Sequence, residues 1–169
     1  MNPMMHHDAQ AWLSPPAESR ALELLPGDVA AGSLGDSFRT LLGSCIAVLL
    51  TDPRRTAGAM CHIVHSGTST PSHGKPASDA DTAVDAMYAL MRSRGFTPAL
   101  CDAFVYGGGN MFPQLVDGTH VGERNALHVL NRLRTDHINV LHRDLGGRAY
   151  RRLGWTIGPD DPEVTAVPV

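Results

Sequence analysis

Cysteine is sparse in this sequence: Cys45, Cys61 and Cys101 are the three in 169 residues. An odd number at wide spacing builds no disulfide framework and no Cys-x-x-Cys zinc pair. Basic stripes are also missing, and the formal net charge is −3 with histidines neutral. That balance argues against nucleic acid as a partner. No apolar run approaches the ~20 residues that cross a bilayer, so membrane insertion is not expected. The first residues lack the charged-then-apolar pattern of a secretion signal, and cytoplasmic residence is the expectation. No repeat and no internal boundary breaks the chain. Its length and its hydrophobic content of 43% suit one domain with a real core.

What the chain does carry is concentrated in Thr40-Leu41-Leu42-Gly43-Ser44-Cys45 and the apolar run Ile46 to Leu50 behind it. A second apolar run, Ala57 to Val64, contains His62. The link between them, Asp52 to Thr56, is short and polar, so the two runs read as antiparallel strands. Folding the chain back about Arg54 sets His62 opposite Cys45. Directly opposed Cβ atoms lie about 4.5–5.5 Å apart, within reach of a thiol–imidazole hydrogen bond. A thiol, a base and a hydroxyl that orients the base, Thr40, make a covalent acyl-transfer site. Gly43 and Ser44 precede the cysteine, and free N–H groups at that bend suit an oxyanion. From residue types alone, Cys45 is first a small core hydrophobe and His62 a satisfied core histidine. A metal site from Cys45, Cys61, His62 and His65 is a further reading, opposed by the alternation of strand side chains.

The rest of the chain reads as scaffold. Residues 1–23 lack pattern and are taken as a flexible N-terminal tail; 24–169 form the domain. Strands are expected at Asp28 to Ala31, Phe38 to Leu42, Ala103 to Tyr106, Ile138 to Leu141, Ala149 to Ile157 and Glu163 to Val167. Breaker-rich residues from His65 to Pro76 form a long loop that rims the site. Asp79 to Arg94 is the clearest helix, with Ser78 as N-cap, Gly95 as its stop and methionines on the apolar face. Val121 to Asn125 opens a second helix. Gly107 and Gly108 open a glycine run that matches neither G-x-G-x-x-G nor a Walker loop. They are read as allowing close backbone approach to the Cys45 region. The class is α/β or α+β.

Taken together, Thr40-x-x-Gly43-Ser44-Cys45, His62, Gly107-Gly108-x-x-Met111-Phe112, Gly122-Glu123-Arg124-Asn125, and Asp144-x-Gly146-Gly147 with Arg151 resemble the CheD family of chemoreceptor glutamine deamidases. The resemblance spans about residues 24–168. It implies a three-layer α/β/β sandwich similar to toxin-type deamidases, and a site with Cys45 as nucleophile, His62 as base and acid and Thr40 as orienter. It further implies a cytoplasmic protein-glutamine glutaminase acting on methyl-accepting chemotaxis receptors without a cofactor. A receptor methylesterase side activity and a CheC-family phosphatase partner are also implied. One departure is local: the family shows Leu-Pro shortly after the histidine, where this chain has His62-Ile63-Val64-His65-Ser66. That departure keeps a second function class in view, a non-catalytic chemotaxis adaptor that binds receptor or a CheC-type phosphatase.

Overall fold

Two consecutive strands, β4 (Ile46–Thr51) and β5 (Ala57–Ile63), are buried at every position. Strands this apolar on both faces must lie between two layers. The computed structural model, which describes residues 21–67, 74–115 and 118–169, supplies both. β4 and β5 occupy the middle of a five-stranded sheet with β2 (Val29–Ser33), β6 (Asp102–Gly107) and β7 (Asn139–Leu145), in the order β2-β5-β4-β6-β7. One face packs against α1 (Ala80–Ser93) and α2 (Val121–Thr135), where Val48, Leu50, Ala59, Cys61 and Val105 meet Val84, Met87, Met91 and Val129. The other face packs against a four-stranded sheet, in which β1 (Leu22–Glu23), β3 (Ser37–Leu42), β8 (Ala149–Thr156) and β9 (Glu163–Pro168) run in the order β1-β3-β8-β9. Ala47, Leu49, Met60 and Phe104 from the first sheet meet Phe38, Leu42, Leu153 and Trp155 from the second. The layers are helices, sheet, sheet: the expected α/β/β sandwich.

Strand β8 alternates, with Arg151, Leu153 and Trp155 buried and their neighbours more exposed. That period-2 pattern is the mark of a sheet with one wet face. Helix α1 follows the 3.6-residue spacing of its buried Ala83, Val84, Met87 and Met91. Its N-cap is Asp79 rather than the expected Ser78: the Asp79 carboxylate accepts from Thr82 N at 3.0 Å. Ser78 instead ends a short 3-10 turn from Pro76 to Ser78. Strand β7 runs on to Leu145, four residues past its expected end. Its pairing with β6 continues through Tyr106↔Asp144 and Gly107↔Leu145, and the turn is left to Gly146 and Gly147. The expected tail ends earlier than read: Leu22 and Glu23 already pair with Phe38 and Arg39. Residues 1–20 and the centre of the rimming loop, 68–73, lie outside the described residues. Among the described residues, no helix is long and apolar enough to cross a membrane.

Gly58 pairs with Thr51 at the far end of the hairpin, and a Cβ there would overlap the Trp155 indole. Gly58→Ala is therefore expected to lower stability by about 1–3 kcal/mol through overpacking. Urea unfolding reads it as a lowered midpoint at unchanged slope; an unchanged midpoint would mean that the indole moves aside freely.

Candidate active site

The five-residue link of the hairpin sets the geometry. Asp52 closes it by accepting from Thr56 N at 2.7 Å, Thr56 Oγ1 at 2.9 Å and Ala57 N at 2.9 Å. Arg55 takes the left-handed conformation, φ 55°. The resulting register pairs Ala47 with His62 and Ile46 with Ile63. The sequence expectation of Cys45 directly opposite His62 is thus off by two residues. Cys45 stands one residue before the ladder, diagonal to His62. Because the shift is even, both remain on one face of the sheet. Cys45 packs against the inter-sheet cluster, and His62 and Thr40 are buried in the same layer.

Thr40 lies on β3 and His62 on β5, so their contact bridges the two sheets. Thr40 Oγ1 donates to the Leu24 carbonyl at 2.6 Å and lies 2.9 Å from His62 Nδ1. A hydroxyl has one hydrogen. With that hydrogen committed to Leu24 O, Thr40 can only accept from the ring. Leu24 O, 3.3 Å from Nδ1, can likewise only accept. Both neighbours demand a hydrogen on Nδ1, so the neutral ring carries it there and Nε2 keeps a bare lone pair. Nε2 is buried and makes no hydrogen bond to any described residue.

The Gly43–Cys45 loop is held by backbone. Gly108 N donates to Cys45 O at 2.9 Å and Gly109 N to Gly43 O at 2.9 Å. A Cβ at Gly107, whose φ is 115°, would overlap the Cys45 carbonyl oxygen. Gly107 and Gly108 therefore serve close approach, as their position in sequence suggests. The Ser44 and Cys45 N–H groups find no hydrogen-bond acceptor among the described residues, which leaves two donors beside the thiol. Gly43 lies under Met111 Sδ at 3.0 Å and the Tyr150 ring at 3.3 Å, measured from the Cβ it lacks.

Two contributors escaped the sequence reading. Asn125 on α2 is 1% exposed, and its Nδ2 donates to Ser44 O at 3.2 Å and Val64 O at 2.9 Å. A polar residue in step with Ala126, Val129 and Leu133 on an apolar helix face was the available signal. Leu24 acts through its carbonyl, for which a side-chain pattern carries no signal. Cys61 faces the helices while His62 faces the second sheet, so these neighbours cannot share one metal ion.

Burial acts on both reacting groups in the direction of neutrality. It pushes the Cys45 thiol above its ordinary value of 9.0. It also pulls His62 below 6.5, although the Leu24 carbonyl and the Asp28 carboxylate oppose it. At rest the pair is thiol and imidazole, not thiolate and imidazolium. The low-pKa thiolate expected of a covalent site is therefore absent from the free protein. Two outcomes follow. Alkylation of Cys45 by iodoacetamide should show a pH midpoint above 9.0, read by peptide mass. For stability, the unfolded chain takes up His62's proton at higher pH than the folded one, so stability falls as pH drops below 6.5 toward the folded pKa. His62→Gln should remove that part of the pH slope in thermal unfolding.

The family profile described as CheD chemotactic sensory transduction matches residues 65–159. A relative from Albidiferax ferrireducens, a probable chemoreceptor glutamine deamidase CheD, is 34% identical over 142 residues, 82% of each chain. A probable chemoreceptor glutamine deamidase CheD of Desulfitobacterium hafniense is 32% identical over 128 residues, 75% of this chain and 80% of its own. The chemoreceptor glutamine deamidase CheD of Thermotoga maritima is 35% identical over 118 residues, 69% of this chain and 72% of its own. With more than half of its length matched to the profile and relatives of this closeness, the chain belongs to the CheD family.

Proposed function

We propose that this protein hydrolyses the side-chain amide of selected glutamines on methyl-accepting chemotaxis receptors, leaving glutamate and releasing ammonia. The single observation that carries the reading is the bare Nε2 of His62. Its partner nitrogen is locked as a donor by Thr40 and Leu24 O, at 2.9 and 3.3 Å. A base held in one tautomer beside a thiol on the same sheet face is the arrangement nucleophilic acyl transfer requires. The names of the relatives support the substrate.

The neutral resting pair shapes the mechanism. Cys45 Sγ attacks the carboxamide carbon as its proton passes to His62 Nε2. The carbonyl oxygen becomes an oxyanion, received by the Ser44 and Cys45 N–H groups. Collapse breaks the C–N bond. The leaving nitrogen takes the proton from Nε2 and departs as ammonia, and a thioester remains. Water then adds to the thioester carbon, giving its proton to Nε2. The second collapse breaks the C–S bond, and the proton returns to sulfur. When His62 is briefly imidazolium, Thr40 Oγ1 still accepts from Nδ1, so no hydrogen bond is broken during the cycle.

Incubation of the full chain with a receptor cytoplasmic fragment tests this, read as ammonia release and as the mass change of an NH2-to-OH exchange on glutamine peptides. Cys45→Ala should abolish both, and His62→Ala should slow them by about 10²–10⁴-fold. Thr40→Ala should cost only about five- to tenfold, one net hydrogen bond, because Leu24 O still accepts from Nδ1. Activity that survives Cys45→Ala would remove the nucleophile assignment. Receptor binding without any mass change would leave the adaptor role instead.

A further inference from the structure

Arg151 is the one buried Lys or Arg among the described residues, 5% exposed. It lies on β8 opposite Leu42, two residues along β3 from Thr40, and faces the layer between the sheets. One edge of its guanidinium is used: Nη2 donates to Gly146 O at 2.8 Å and Asp144 Oδ1 at 3.1 Å. Nε and Nη1 have no acceptor among the described residues. A buried cation satisfied on one edge is a poor contributor to stability, since an apolar side chain of similar volume fills such a site at lower desolvation cost.

What that one edge holds leads to the nucleophile. Gly146 N donates to Gly107 O at 2.9 Å, and Asn110 N donates to Gly147 O at 2.8 Å. The turn gripped by Arg151 thereby pins the glycine run at both ends. That run holds Cys45 O through Gly108 N and Gly43 O through Gly109 N, each at 2.9 Å. The path from guanidinium to nucleophile loop is continuous, and every link except the first is backbone to backbone. Gly146 and Gly147 have φ of 81° and 73° and nothing near the Cβ they lack, so side-chain packing does not hold this turn in place. Among side chains the guanidinium does, beside the two backbone bonds to the glycine run.

We infer that Arg151 is a positioning residue, which sets Cys45 against His62 through the β7–β8 turn and the Gly107–Asn110 run. The inference rests on the Cys45–His62 reading above. Arg151→Met and Arg151→Lys separate positioning from support. For the Met variant, kcat on the receptor fragment should fall about 10- to 100-fold with KM little changed, while the thermal midpoint holds or rises. Lys keeps a single donor for Gly146 O and should recover part of the kcat. A second readout needs no turnover: iodoacetamide alkylation of Cys45, with and without His62→Gln. At about pH 7, where Cys45 is a thiol, His62 is the base that takes its proton as sulfur attacks, so in the parent chain His62→Gln should slow alkylation; in the Arg151→Met background it should no longer matter. Unchanged kcat and unchanged His62 dependence in Arg151→Met overturn the inference. So does a kcat that falls only in step with stability and is not recovered by Lys. If Arg151→Met does not fold, Asp144→Ala loosens the guanidinium at a half-exposed position. A smaller loss of kcat supports the inference there, and an unchanged kcat overturns it. Should the parent chain release no ammonia from the fragment, the proposed function fails by itself, and alkylation alone still decides the role of Arg151.

Discussion

The hydroxyl hydrogen of Thr40 goes to the carbonyl of Leu24, and that commitment, together with the Leu24 carbonyl itself, sets which nitrogen of His62 carries the proton. Had the hydrogen turned toward His62 instead, Nδ1 would be the acceptor and Nε2 would carry the proton, useless as a base. The 2.6 Å bond to Leu24 O excludes that arrangement. Leu24 is itself held, since its N–H donates to Arg39 O at 2.9 Å and its side chain is 2% exposed. A three-member chain from backbone carbonyl to hydroxyl to ring therefore crosses from one sheet to the other. It is neutral throughout. A carboxylate in the place of Thr40 would hold the imidazolium more strongly, but it would also have to be desolvated between two sheets.

Cys45 is fixed by other means. Cys45 has no side-chain hydrogen bond among the described residues; its backbone is held through its carbonyl and that of Gly43. Only glycine lets a neighbouring strand end come so close, and Gly107 does so where a Cβ would occupy the Cys45 oxygen's place. Asn125 ties Ser44 O and Val64 O together from the helix layer. The loop that carries the thiol is thus gripped from two layers, while the Ser44 and Cys45 N–H groups find no acceptor among the described residues.

Much of this was legible in the sequence, and the misses have physical causes. Two apolar runs around a five-residue polar link identify the hairpin that brings Cys45 and His62 to one face. The register was off by two because Asp52 caps the link with three acceptor bonds and Arg55 turns left-handed. These moves shift the centre of the turn by one residue, and a one-residue shift of the centre is a two-residue slip of the ladder. The face survives the error: Cys45 and His62 still lie on one side of the sheet. Strand β7 was cut short at Leu141 because His142, Arg143 and Asp144 are polar, as suits an edge strand with little to bury. Leu24 holds His62 through a backbone carbonyl, which leaves no trace in spacing; Arg151 shares a sequence motif with Asp144, Gly146 and Gly147, but its contacts with them come only from the structure. Asn125 did leave one, as the polar member of an apolar stripe.

Burial gives the resting site a character that a thiolate–imidazolium picture misses. Both Cys45 and His62 are pushed toward their uncharged forms, so in the proposed reaction the ion pair forms as sulfur attacks rather than beforehand. In the proposed reaction a bound carboxamide changes the balance in two ways. It places a carbonyl oxygen where the free N–H groups can receive negative charge, and it gives sulfur a carbon to bond to as the proton leaves. A site of this kind trades a standing nucleophile for one that forms against its substrate, and the desolvation that raises the cost of the free thiolate also strengthens every hydrogen bond the transition state will use.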